Sequence, residues 1–380
     1  MYSRTIEFIR SLYQTSDFIP LHEPKFVGNE KKYVLDTIDS TFVSSVGKYV
    51  DQFEIQFANF VGSKFAVATV NGTSALHVAL KLVGVSSGDE VITQPLTFVA
   101  TCNAIRYCGA DPIFLDIDAS TLGLSAASVE RFLNKNAVVE NNQCINKKTR
   151  KCIRACVPMH TFGHPVEIKK LKKLCEDYSI RLVEDAAESL GSYYEGQHTA
   201  TFAEIGVFSF NGNKIITTGG GGMIVTDNAI LAKHAKHLTT TAKIPHQWDF
   251  VHDELGYNYR MPNINAALGL AQLESLPEYI TRKRYVADEY KKHFSQYEDI
   301  QFISEPAYSK SNYWLNTLLM KNEDQRNQFL HEMNQAGVMV RPAWRSMSEL
   351  ELFNSCASDD LSFMNVVAKR LVNIPSSVIL

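Results

Sequence analysis

Between residues 65 and 185, short apolar runs alternate with amphipathic ones at a pitch that few architectures accept. FAVATV (65–70), EVITQP (90–95), PIFLDI (112–117), CIRACVPMH (152–160) and IRLVED (180–185) read as strands. TSALHVALKLVG (73–84), FVATCNAIRYCG (98–109) and VEIKKLKKLCEDYS (166–179) read as helices, the first two closed by glycine. Strand–helix alternation of this kind predicts an α/β fold with a mostly parallel sheet and helices on both faces. Upstream, 29–40 and 48–61 have helical character, and Val50, Phe53, Phe57 and Phe60 share one face of the second. After residue 222 the pattern changes. A strand (GMIVTD) and a helix (230–240) precede an aromatic and polar loop over 241–262. Helices are expected over 264–276 and 277–298, then a small α+β lobe. A chain of 380 residues exceeds what one core usually covers. It is expected to divide near residue 265, into a large domain (1–264) and a smaller C-terminal one (265–380).

In such a sheet ligands bind beyond the carboxyl ends of the strands. Asn71, Gly72, Thr73 and Ser74 follow the first strand, and Thr97 and Phe98 the second. His160 follows the fourth, and Glu184, Asp185 and Glu188 close the fifth. Composition narrows the ligand class. A formal net charge of -3 gives no reason to expect nucleic acid, and the longest apolar runs are too short for a bilayer. The N-terminus carries Glu7 and makes a poor signal peptide, so a cytoplasmic protein is expected. The seven scattered cysteines argue against a disulfide framework. Cys144, Cys152, Cys156 and His160 fall close together. No CxxC pair occurs, though, CIRACVP reads as a buried strand and Cys144 as part of a polar loop, so no metal site is expected.

Four features carry chemistry. NGTSAL sets a glycine and two hydroxyls where a helix begins, which makes either a phosphate cradle or an ordinary cap. Asp185 closes a strand in an enclosed place, where a carboxylate needs a cationic partner or serves to cap the next helix. Phe98 at the sheet's mouth can stack on a flat ligand or simply pack. Lys214, in FSFNGNKIITTGGGGM (208–223), stands between an apolar run and four glycines. A lysine desolvated at the active end of a sheet can attack a carbonyl; a solvated loop lysine does nothing of the kind. The glycines offer backbone freedom and room for a bulky ligand. Phosphate cradle, stacking ring, carboxylate for a ring nitrogen and lysine for an aldehyde are together what pyridoxal 5'-phosphate requires.

At this point the chain resembles the DegT/DnrJ/EryC1/StrS family of pyridoxal phosphate-dependent sugar aminotransferases over nearly its whole length. The resemblance lies in NGTSALHVAL, PLTFVATCNAI, HTFGHP, VEDAAESLG, FSFNGNKIITTGGGGMI and GYNYRMPNINAALGLAQLE. It implies an aspartate-aminotransferase-like fold (fold type I) and a homodimer with shared active sites. It also implies Lys214 as the lysine bonded to the coenzyme and Asp185 against the pyridine nitrogen. Phe98 would stack on the ring, with Gly72, Thr73, Ser74 and Ser209 around the phosphate and Asn258 reaching the neighbouring subunit's coenzyme. The variants FNGNKIITTGGGG and HDELGYNYRMPNINAALG look most like the branch aminating UDP-linked 4-keto-6-deoxy-N-acetylhexosamines with L-glutamate, in bacterial surface glycan (O-antigen) biosynthesis. The alternatives are a GDP- or dTDP-linked ketosugar, perosamine-type or 3-amino, and a non-catalytic regulatory protein of the same fold. His160, Tyr257, Arg260, Arg341, Arg345 and Trp344 are candidates for the sugar nucleotide and donor carboxylate. Two departures stand out: Gly220 where many members have glutamate, expected to widen the sugar pocket, and Glu188 where glutamine is usual. The second puts an acid where the family's neutral hydrogen bond to the coenzyme's ring hydroxyl would come from.

Overall fold

The computed structural model describes residues 2–380. Its centre is a seven-stranded sheet: β1 Phe65–Thr69, β2 Glu90–Thr93, β3 Asp111–Phe114, β4 Ile153–Val157, β5 Arg181–Asp185, β6 Ile205–Ser209 and β7 Gly222–Thr226. Their spatial order is β1-β7-β6-β5-β4-β2-β3. Six strands run one way, and β7 runs antiparallel to both β1 and β6. The reversal follows from the chain between β6 and β7. It contains no crossover helix, and the Phe210 amide donates to the Gly221 carbonyl at 2.8 Å, so the strand can only return beside the one it left.

Alternation along the strands serves two apolar layers. Val207 and Ile224 pack with Val78, Leu80 and Ile105 from the helices Gly72–Leu82 and Val99–Tyr107. Their neighbours Phe208, Met223 and Val225 face the other way, onto Phe53 and Phe57 of the helix Lys48–Val61 and onto Ala267 and Leu270. Phe60, expected on the same helix face, is only partly buried at the rim of that layer.

A second, fully antiparallel sheet contains β8 Ile300–Phe302, β9 Asn316–Met320, β10 Arg341–Pro342 and β11 Leu371–Ile374, in the order β8-β9-β11-β10. Residues 264–276 and 277–298 do not form two helices. One helix of 32 residues, Asn263–Phe294, runs through Pro277. Proline removes one amide and usually breaks a helix. Here the first half is held in the layer of Phe53 and Leu270, and the second in that of Val286, Tyr290 and Phe329. Three further helices were not foreseen, the short Ser362–Val367 among them. Ser3–Tyr13 packs Ile9 into the second of those layers, and Ala126–Asn136 is capped by Ser125, whose hydroxyl accepts the Ser128 amide at 3.3 Å. Cys144 does not lie in a polar loop. It sits fully buried in the ribbon strand Gln143–Asn146 and packs with Cys156 and Cys175 in an apolar cluster.

Lys283, on the long helix, is 1% exposed and donates to the carbonyls of Trp314, at 3.1 Å, and Ser376. Burial lowers it from 10.5 to about 7. Between those values the unfolded chain holds a proton that the folded chain has lost, so this group makes stability rise with pH, by about 1.4 kcal/mol per unit. Below pH 7 both states are protonated and its contribution is flat. Lys283→Met is therefore expected to cancel this rise. Denaturant unfolding at about pH 7 and pH 9 should show the wild type gaining roughly 2 kcal/mol relative to the variant.

Candidate active site

Residues that end or follow five different strands meet around a cavity of 360 Å³ at the carboxyl end of the sheet. A larger cleft, of 550 Å³, opens at the strands' other ends beside Arg154, Arg181 and Glu204; none of the residues that follow the strands line it.

One end of the cavity is the start of the helix Gly72–Leu82. Asn71 is its N-cap, extended in backbone, and Asn71 Oδ1 accepts the Ser74 amide at 2.7 Å. The amides of Gly72 and Thr73 keep no partner within the chain, and both residues line the cavity together with Ser209. A side chain at position 72 would meet Ser209 Cβ at 2.8 Å, so glycine is what allows these two strand ends to close together. Two free amides at the positive end of a helix, with two hydroxyls beside them, suit a phosphate.

Farther in, Asp185 ends β5 with 2% of its surface exposed. Thr101 Oγ1 donates to its Oδ2 at 2.8 Å, and the Ala187 amide to its Oδ1 at 3.1 Å. Burial raises its carboxyl above the usual range, while these two donors and Lys214 oppose the rise. A cation placed in the cavity would complete its pairing. Phe98, at the start of the next helix, is 51% exposed and meets Trp344 only edge-on, with centroids 6.4 Å apart, so its ring is free to cover a flat ligand.

Lys214 lies between the two. Its amide donates to the Asn211 carbonyl at 2.9 Å, and Trp314 Nε1 pins the same turn through the Asn213 carbonyl at 2.7 Å. The Lys214 side chain is 11% exposed. Its Nζ stands 3.4 Å from Glu188 Oε1 and 3.9 Å from the centre of the Trp314 ring. Glu188 is held by the Phe162 amide, which donates to Oε2 at 2.9 Å. Burial pushes its carboxyl up to about 7. The four glycines after Lys214 do not line the cavity. Gly219 has a left-handed backbone (φ 78°), and side chains at 221 and 222 would strike Thr218 and Asn71. They serve to bring β7 close under the phosphate end.

Of the residues singled out in the sequence, Gly72, Thr73, Phe98, Asp185, Glu188, Ser209, Lys214 and Trp344 converge on this cavity. Ser74 is buried one residue behind its rim. His160 is fully buried outside the lining; its Nε2 lies 3.1 Å from Glu184 Oε2 and its Nδ1 accepts the Val166 amide. Tyr257 stacks on Tyr259 at 5.1 Å, and Asn258 is exposed, bridged to Thr240. Arg260 bridges to Thr69, Arg341 is exposed on β10 beside Asn373, and Arg345 is exposed two residues beyond Ala343. Sequence reasoning missed Thr101 and Trp314. Thr101 follows Thr97 by four residues, and the two hydroxyls lie 2.7 Å apart, a spacing that could have been noticed. Trp314 carries no local signal.

A lysine facing a buried acid, between an anion cradle and a second buried carboxylate, fits a ligand that has a phosphate, an aldehyde and a basic ring. Fold and cavity together are those of a fold-type I pyridoxal phosphate enzyme. The chain belongs to the DegT/DnrJ/EryC1/StrS aminotransferase family, whose sequence model matches residues 24–380, and it is a pyridoxal phosphate-dependent aminotransferase. It is 37% identical over 364 residues to a GDP-perosamine synthase of Escherichia coli O157:H7, covering 94% of this chain and 93% of that one. It is 35% identical over 361 residues to a GDP-perosamine synthase of Vibrio cholerae, covering 94% of each. Among solved structures, Helicobacter pylori PseC, an aminotransferase involved in the biosynthesis of pseudoaminic acid, superimposes with a TM-score of 0.86 at 25% identity over 94% of both chains. Among the described residues no helix is long and apolar enough to cross a membrane.

Proposed function

We propose that this enzyme transfers the amino group of L-glutamate to a GDP-linked ketosugar, giving a perosamine-type amino sugar for a bacterial surface glycan. The observation that carries the choice of nucleotide is the similarity to two GDP-perosamine synthases, at 37% and 35% identity over nearly full length. The UDP-linked 4-keto-6-deoxy-N-acetylhexosamine favoured by the sequence variants around Lys214 and Asn258 becomes the second reading.

The roles assigned to the residues follow the cavity's polarity. Gly72 and Thr73 amides, with the Thr73, Ser74 and Ser209 hydroxyls, bind the coenzyme's phosphate. Phe98 covers its ring, and Asp185 holds a proton on the ring nitrogen by placing a buried negative charge against it. Lys214 Nζ anchors the coenzyme covalently. Once freed as an amine, it takes the proton from the donor's α-carbon and later returns one to the product. When bound, the coenzyme would supply the electron sink that lets the α-carbon lose this proton. Trp314 and Trp344, from the segment after residue 265, wall the cavity, which supports a division into two domains near that point. The exposed Asn258 suits a homodimer in which it reaches the neighbouring subunit's phosphate. Arg260, Arg341 and Arg345 are the cations offered to the donor carboxylate and the sugar's diphosphate.

Assay of GDP-, UDP- and dTDP-linked 4-ketosugars with glutamate, followed by NMR of the product, tests this. We expect kcat/KM for the GDP sugar to exceed the others by at least about tenfold, a difference of about 1.4 kcal/mol in transition-state binding. Preference for the UDP sugar would move the assignment to the second reading.

A further inference from the structure

We propose that Glu188 is the proton partner of Lys214: it accepts the proton that the lysine must shed before Nζ can form a covalent bond, and gives it back when that bond is broken. The inference rests on the reading of Lys214 as the coenzyme's lysine and assigns a second catalytic group to it.

Geometry supplies the argument. Glu188 Oε1 is 3.4 Å from Lys214 Nζ, and among the described residues Lys214 has no other carboxylate at hydrogen-bond distance. The acid is fixed on its far side, because Oε2 accepts the Phe162 amide at 2.9 Å. Phe162 itself has a left-handed backbone (φ 56°), a conformation that a bulky residue rarely takes and that aims its amide at Glu188. The acid's own carbonyl is bound by Asn312 Nδ2 at 2.9 Å, so the main chain is held as well. Trp314 covers the lysine's other side at 3.9 Å. Lys214 Nζ is thus enclosed between a ring that favours its cation and a carboxylate that can remove the proton.

The step balances without any further reagent. One N–H bond of the Lys214 ammonium breaks, an O–H bond forms on Glu188 Oε1, and the electron pair stays on Nζ, leaving amine and carboxylic acid. The charged and titratable groups that act electrostatically on the pair are Asp185, which lines the same cavity, and the buried His22 of the N-terminal segment. Burial foremost, and Asp185 to a lesser degree, favour the protonated acid, and Lys214 and the Phe162 amide oppose them. The balance leaves the carboxyl at about 7, where it can both accept and release a proton near neutral pH. A glutamine here could still accept the Phe162 amide at its one oxygen, but it would turn an NH2 group to Lys214 and could not take up a proton.

The test uses the full chain freed of coenzyme. The rate at which added pyridoxal phosphate is captured, read by stopped-flow absorbance, is measured against pH for wild type and Glu188→Gln. The wild-type rate should show an inflection near pH 7. The variant should lose the inflection and be slower by about tenfold or more above that pH. Capture by Glu188→Gln with an unchanged pH profile, or faster capture throughout, would overturn the proposal. Borohydride trapping in both proteins separates the two readings: an adduct at Lys214 with identical profiles removes only Glu188, and an adduct elsewhere removes Lys214. Should the variant fold poorly, infrared titration of the buried carboxyl in the wild type and in Lys214→Ala gives an independent check. Its midpoint should rise when the lysine is removed, and an unmoved midpoint would contradict the pairing.

Discussion

Replacing Lys214 with alanine is expected to lower turnover by roughly 10⁴-fold while leaving the coenzyme bound. The two halves of that expectation have separate physical sources. On the proposed reading, binding would draw on the Gly72 and Thr73 amides, the Ser209 hydroxyl and Asp185, none of which is hydrogen-bonded to the lysine. Turnover needs a base that is mobile, nitrogenous and within reach of the donor's α-carbon. Glu188 is held at one oxygen by the Phe162 amide and cannot take over. The side chain is also replaceable without collapse: Lys214 makes no buried hydrogen bond beyond Glu188, and alanine leaves the neighbouring Trp314–Asn213 bond intact. Equilibrium dialysis of pyridoxal phosphate and single-turnover assay with glutamate check the two halves separately. Turnover within tenfold of wild type would remove Lys214 from the mechanism.

The second large effect is expected at Asp185. Asp185→Asn should reduce kcat by about 10²- to 10³-fold, the scale found when one preorganised electrostatic group is removed from a reacting centre. Asparagine can accept the Ala187 amide at its oxygen, and its NH2 can donate to the Thr101 hydroxyl, which then turns from donor to acceptor; these are the two groups that hold the aspartate at 3.1 Å and 2.8 Å. The fold is therefore expected to persist, and the loss belongs to the charge. Asp185→Ala should lose similar activity and some stability, because it leaves the Thr101 hydroxyl buried with one partner fewer. Steady-state kinetics and thermal melting of both variants distinguish the outcomes. Full activity in Asp185→Asn would mean that a buried negative charge is not needed there.

How much of this could be read from the sequence depends on how local each cause is. Strand and helix periods between 65 and 185 predicted the sheet because each element's burial pattern is written within a few residues. The cradle residues Gly72 and Thr73, and Asp185, were legible for the same reason: in a mostly parallel sheet the residue after a strand is at the ligand end whatever the distant chain does. Lys214 was legible as a candidate, though its glycine neighbours turned out to pack β7 rather than enlarge the cavity. What stayed hidden arises from distant pairings. Trp314 reaches the lysine from the bend that precedes β9 of the other sheet, and the Thr101–Asp185 bond joins residues 84 positions apart. The helix Ala126–Asn136 was obscured by small and polar residues, and Pro277 suggested a break that packing on both flanks overrides.

Borohydride reduction of the loaded enzyme, followed by proteolysis and mass spectrometry of the peptides, tests the central claim most directly. A single reduced pyridoxyl group on the lysine of FSFNGNKIITTGGGGM is the result expected. A group on any other lysine, or none at all while the enzyme still transaminates, would contradict the account.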